Sequence, residues 1–133
     1  MMTSDLAEAR RAHAALRHLF SRPAAEAADV RALRRVLALC QAAALAVDDA
    51  YCREKLRLVG EYGAELLSGG GHARWGRDAA TGAEFLRQQV LSALELFASR
   101  LYSIEALRRC DEAGNERNHG GVPWITRSGI AQT

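Results

Sequence analysis

Leu86, Val90, Leu94, Phe97, Leu101 and Ile104 recur at intervals of four, four, three, four and three. That spacing puts all six on one stripe of a 3.6-period helix, and a strand with its period of two does not reproduce it. Phe85, Leu96 and Leu107 widen the stripe on one flank, so the helix needs more than one neighbour to cover it. Thr81 and Glu84 stand at capping-box spacing at its start, and Gly114 and Asn115 supply residues suited to a left-handed turn at its end. The expected element is a long central helix from Thr81 to Glu112. Arg100 is the one charge set among its apolar positions, where burial without a partner is costly.

The same constraint extends over most of the chain. Pro23 and Pro123 are the only prolines, and the roughly hundred residues between them are rich in Ala, Leu, Arg and Glu, all strong helix formers. With 133 residues, 49% of them hydrophobic, the chain is long enough for one real core. The fold class is therefore all-α: a bundle of long antiparallel helices, either three long or four shorter ones. Residues 1–112 are expected to form the bundle and residues 113–133 a flexible C-terminal tail, in which Val122, Trp124 and Ile125 are suited to docking on a groove.

Asp5 and Glu8 open a first helix whose face is Leu6, Ala9, His13, Leu16 and Phe20, and Ser21-Arg22-Pro23 closes it. His13 on that face is expected to be packed, and His18 lies off it. From residue 24 to residue 67 two readings compete. Val30, Leu33, Leu37, Cys40, Ala44, Val47 and Tyr51 form a stripe that continues through Leu58, Tyr62 and Leu66, which favours one helix of about 40 residues. Cys52, Leu56, Val59, Gly63 and Leu66 form a second phase, which requires a turn near Val47-Asp48-Asp49 made without glycine or proline. A continuous helix would overhang a monomer of this size, which points to a homodimer.

Asp48 interrupts this stripe as Arg100 interrupts the other. If residues 68–80 join antiparallel neighbours, the two charges fall at the same level, and a structural ion pair between Asp48 and Arg100 is expected. The joining loop, Ser68 to Asp78, has three consecutive glycines followed by His72, Arg74, Trp75 and Arg77. It reads either as a linker whose Trp75 plugs the end of the bundle or as a partner-binding loop using those four side chains.

Little in the sequence points to catalytic or metal chemistry. The loop lacks the Gly-Lys-Ser/Thr of a phosphate-binding loop and has no strand before it. Cys40, Cys52 and Cys110 are an odd number without CxxC spacing, and they read as buried free thiols in a reducing compartment. No His pair accompanies them as zinc would want. Glu116-x-x-His119 occurs once, whereas a di-iron bundle needs the motif on two helices. Neither a catalytic set, nor a cofactor, nor a metal site is expected.

Seventeen arginines stand against one lysine, Lys55, within a net charge of only +2. Over residues 10–35 the net charge is +5, and Arg10, Arg11, Arg17, Arg31, Arg34 and Arg35 are the candidates for contact with a nucleic-acid backbone. Phe20 is the only aromatic residue in that stretch, which weakens the nucleic-acid reading. Charges near the N-terminus and the absence of an apolar span argue against secretion or membrane insertion. The expected function is a small cytoplasmic interaction or regulatory module that engages another protein, with nucleic-acid binding as the rival.

Overall fold

The computed structural model describes residues 2–22, 28–70 and 72–119. Among them are four α-helices and one 3-10 turn: α1 (Met2–Leu19), α2 (Val30–Ala46), α3 (Ala50–Leu67), the turn His72–Trp75, and α4 (Ala79–His119). The protein is an all-α helical bundle of the four-helix kind. Its chain divides into two compact units, Met1–Leu101 and Tyr102–Thr133.

In the first unit the expected stripe of α4 is the centre of the core. Leu86, Val90, Leu94 and Phe97 are wholly buried and Leu101 nearly so. Leu6, Ala9 and Leu16 of α1 and Phe20 just after it are buried in the same core, with Val36, Cys40 and Ala43 of α2 and Cys52, Leu56, Val59 and Leu66 of α3. His13 packs with its ring centroid 6.1 Å from that of Phe97, and burial, then the nearby Arg17, holds its pKa below the ordinary value. Arg87 ties α1 to α4. Its guanidinium donates to the carbonyls of Phe20 (2.8 Å) and Ser21 (3.0 Å), placing a cation where the C-terminal end of a helix dipole favours one.

The continuous helix over residues 24–67 does not form, and the chain turns at Val47–Asp49. Val47 is extended and 2% exposed, which pins the turn into the core. Asp49 is extended too and caps α3, its carboxylate accepting from the amide of Cys52 at 3.0 Å. Burying Val47 and capping with Asp49 replaces the glycine or proline that such a turn usually carries. The helices on either side each bury their own phase, so Val30, Leu37 and Tyr51 of the longer stripe are 58%, 48% and 43% exposed. The amide of Asp29, the α2 cap, donates to the carbonyl of Leu67 at 2.8 Å, which joins the start of α2 to the end of α3 as antiparallel neighbours.

Two further boundaries differ from expectation. α4 is capped by Asp78, whose carboxylate accepts from the amide of Thr81 at 2.8 Å, so the Thr81–Glu84 capping box is not used. Glu84 instead accepts from Arg87 and Gln88, both at 2.8 Å. At the other end α4 runs through Gly114 and Asn115 to His119, because one glycine in a helix costs only about 1 kcal/mol and no proline follows closely enough to stop it. In the second unit Tyr102 and Leu107 are exposed on α4, and Arg109 pairs with Glu105 at 3.5 Å. The tail segment with Val122, Trp124 and Ile125 lies outside the described residues.

Candidate functional site

Arg100 does find an aspartate, but it is Asp49 and not Asp48. Its Nε and Nη2 donate to the two carboxylate oxygens of Asp49 at 3.1 and 2.8 Å, a bidentate pair linking α4 to the cap of α3. The Arg100 guanidinium holds the Asp49 carboxyl far below the usual carboxylate range. Asp48 points to solvent, with a side chain 99% exposed, and pairs with Arg53 at 2.8 Å. The antiparallel level of the expected pair is right to one residue. One residue is a rotation of about 100° where the backbone is helical and a change of face where it is extended, and at Val47–Asp49 it decides which carboxylate turns inward. This pair is a fastening between elements, with both partners used by the fold.

The loop between α3 and α4 holds the more suggestive geometry. His72 is 1% exposed, with Nε2 3.0 Å from the carbonyl of Leu66, so it serves the fold and is removed from the set of partner-contacting side chains. Burying its ring under the end of α3 orders the segment after the glycines. Gly82 makes the packing possible, since a Cβ there would lie 1.7 Å from the carbonyl oxygen of His72.

Trp75 then lies on the surface between α3 and α4. Its ring stacks on Phe85 with centroids 6.0 Å apart and planes 13° apart, and it meets Tyr62 edge-on at 6.1 Å. The indole Nε1 donates to Glu65 at 3.3 Å. Arg74 donates to the same carboxylate, and its guanidinium carbon lies 5.6 Å from the Trp75 centroid. Arg74 first, and Trp75 second, hold the pKa of Glu65 below its ordinary value. Arg77 is exposed and takes no part in the stack.

A cleft opens on each side of this aromatic ladder. One, of about 600 Å³, is lined by Glu61, Tyr62, Ala64, Glu65, Ser68 and Trp75. The other, of about 490 Å³, is lined by Ala80, Thr81, Glu84, Phe85 and Gln88. Both are of a size that side chains or small ligands occupy, the first with a mixed lining and the second with a mainly apolar one. Phe85 is 40% exposed, and Tyr51 on α3 and Leu96 on α4 are further exposed apolar side chains, at 43% and 45%. Trp75 and Arg74 stand out in the sequence as partner-contacting candidates, whereas Tyr62, Glu65 and Phe85 join them only through the fold. The flank position of Phe85 beside the α4 stripe was the available signal.

Arg10, Arg11 and Arg17 on α1, and Arg31, Arg34 and Arg35 on α2, are all exposed. Arg11 approaches Glu8 at 3.8 Å. The three α2 arginines occupy its first two turns, off the face that buries Val36, Cys40 and Ala43.

Among the described residues no group of three or more His, Cys, Asp or Glu is placed to hold a metal ion, and no helix is long and apolar enough to cross a membrane. Cys40 and Cys52 are buried free thiols, pushed up to about 11 and about 12 by burial. Cys110 departs from expectation and is exposed, because α4 has no buried stripe at that position. Comparison of the chain with protein-family models, with curated proteins and with solved structures finds no match.

Proposed function

We propose that this chain is a protein–protein interaction module of the cytoplasm that docks its partner on the aromatic ladder Tyr62–Trp75–Phe85 at the α3–α4 end of the bundle. One observation carries the reading: a tryptophan stacked and hydrogen-bonded into position at the surface, with a cleft on either side. Rigid aromatic side chains of this kind lose little entropy on binding and dominate interface energetics. The ladder is supported by two helices and by the buried His72, so it is largely organised before a partner arrives. Free buried thiols fit a reducing compartment. A second copy of the chain is one partner this surface can take, which keeps the homodimer within the proposal.

Photo-crosslinking residues placed at Glu61 and Gln88, one in each cleft, test the reading, with a third at Arg31 as control. The expected result is a discrete adduct from the two cleft positions and none from Arg31. An adduct at twice the chain mass identifies a homodimer, and another mass a different protein. Adducts from Arg31 alone overturn the proposal.

The nucleic-acid reading keeps one supporting observation, the exposure of Arg10, Arg11, Arg17, Arg31, Arg34 and Arg35. Its test is an electrophoretic assay with single- and double-stranded nucleic acid at low and moderate salt. Changing Arg31, Arg34 and Arg35 together to Ala should abolish any salt-sensitive binding, and no retardation at low salt retires the reading.

A further inference from the structure

Arg74 brings a cation to the ladder, and the way it is held says what the neighbouring cleft accepts. Its guanidinium lies over the Trp75 ring and donates to Glu65, while its side chain remains 65% exposed. The contact is thus a cation on an aromatic face with a carboxylate beside it, and the two groups that hold it, Trp75 and Glu65, both line the larger cleft. An exposed ion pair of this sort is weakly held and easily exchanged.

The electrostatics of the cleft favour a cation more generally. Glu61 and Glu65 both line it, and the last turn of α3 has no basic residue although a helix C-terminus is the place a cation is stabilised. Arg57 is shared between Glu54 and Glu61, at 2.6 Å from each, so it does not neutralise both. The Tyr62 and Trp75 rings supply the apolar walls, and the planar guanidinium matches both the ring face and the carboxylate fork better than an ammonium does.

We propose that the Tyr62–Trp75 cleft receives an arginine side chain of the docked partner, stacked on Trp75 and paired with Glu65, and that Arg74 occupies this place in the free chain. The inference rests on the docking reading above and names the anchor within it. Arg74 acts as an internal competitor: it keeps the indole and carboxylate satisfied until a partner arginine displaces it.

The test uses the full chain, labelled with ¹⁵N, and the Trp75 indole N–H resonance, assigned with a Trp124→Phe variant. The probes are the peptide acetyl-Gly-Arg-Gly-amide and its citrulline counterpart, which keeps the shape and loses the charge. The expected result is a saturable shift with the arginine peptide and binding weaker by about tenfold or more with citrulline. Glu65→Gln should lose binding to a similar degree. Arg74→Ala and Arg74→Gln should each bind several-fold more tightly than the parent, a gain that a purely structural Arg74 does not give. Unchanged or weaker binding in both Arg74 variants, with helical content retained, overturns the inference, as does equal binding of citrulline. Crosslinks from Glu61 and Gln88 that persist in that case show that docking stands with another anchor, whereas their absence removes the docking reading as well.

Discussion

Arg100 of α4 and Asp49 at the head of α3 share two hydrogen bonds, and the same carboxylate caps α3 through the amide of Cys52. One side chain therefore both ends the α2–α3 turn and fixes α3 against α4. Asp49→Ala removes the cap, worth about 1 kcal/mol by itself, and leaves Arg100 without its partner, so the total loss exceeds that of a cap alone. Asp48→Ala, one residue away, touches only an exposed pair with Arg53 and should leave the melting temperature unchanged. Arg100→Ala should fall between the two. Thermal denaturation of the three variants checks the order, and equal effects of the two aspartate changes contradict the pairing.

The same pair sets a pH dependence. The Asp49 carboxyl is held below its ordinary 3.8 in the folded chain, chiefly by Arg100. The folded state thus binds fewer protons than the unfolded one near that pH, and this group's contribution is fully present above 3.8 and lost as pH falls below it. Asp49→Asn keeps a capping side chain but carries no charge. The stability gap between the parent and Asp49→Asn should be constant from neutral pH down to about 5 and should shrink below about 4. Melting curves across that range provide the measurement, and a gap that widens with acid reverses the assigned sign.

What the sequence made legible follows from which signals are local. The core face of α4 is visible because Leu86, Val90, Leu94, Phe97 and Leu101 keep a helical period that a strand does not reproduce. The turn at Val47–Asp49 is hidden because both sides are strong helix formers, and an aspartate cap looks like any surface acid until its partner is known. The phase change was nevertheless present: the stripe ending at Val47 and the stripe starting at Cys52 each buried residues, and only a break lets both do so. The Asp48 expectation failed for the same reason, since a level estimate from chain length carries no information on which neighbour faces inward. The ladder at Trp75 depends on the path of a glycine-rich loop and on the burial of His72, and neither is encoded in a periodic pattern.

The three cysteines divide by exposure. Cys40 and Cys52 are enclosed, with their thiols raised to about 11 and about 12 by burial, while Cys110 faces solvent on the second unit's part of α4. A thiol-reactive chromogenic disulfide at neutral pH should therefore react rapidly with one equivalent per chain, and Cys110→Ser should abolish that fast phase. The other two equivalents should appear only on unfolding, since both access and thiolate are denied in the native state. Fast reaction of two or more thiols in the native protein would mean that the α2–α3 core is looser than described.

Two helical glycines have opposite surroundings. Gly82 sits in the first turns of α4 against the His72 carbonyl, and a Cβ there would come to 1.7 Å of that oxygen and 2.6 Å of its carbon. Those are backbone atoms, so no side-chain rotation relieves the clash, and the His72–Trp75 turn must move. Gly60 lies inside α3, where a Cβ would meet only the Leu37 Cδ2 at 3.9 Å, an ordinary contact. Gly82→Ala should destabilise by about 2 kcal/mol or more, as overpacking against a rigid neighbour does. Gly60→Ala should instead stabilise by about 0.5–1 kcal/mol through reduced freedom of the unfolded chain. Urea denaturation measures both signs. Because Gly82→Ala also displaces the support of Trp75, it should lower near-ultraviolet circular dichroism and remove crosslinking from Gln88, whereas Gly60→Ala should preserve both. If Gly82→Ala lost stability yet kept the crosslinks, the ladder would not depend on the His72 packing that places it.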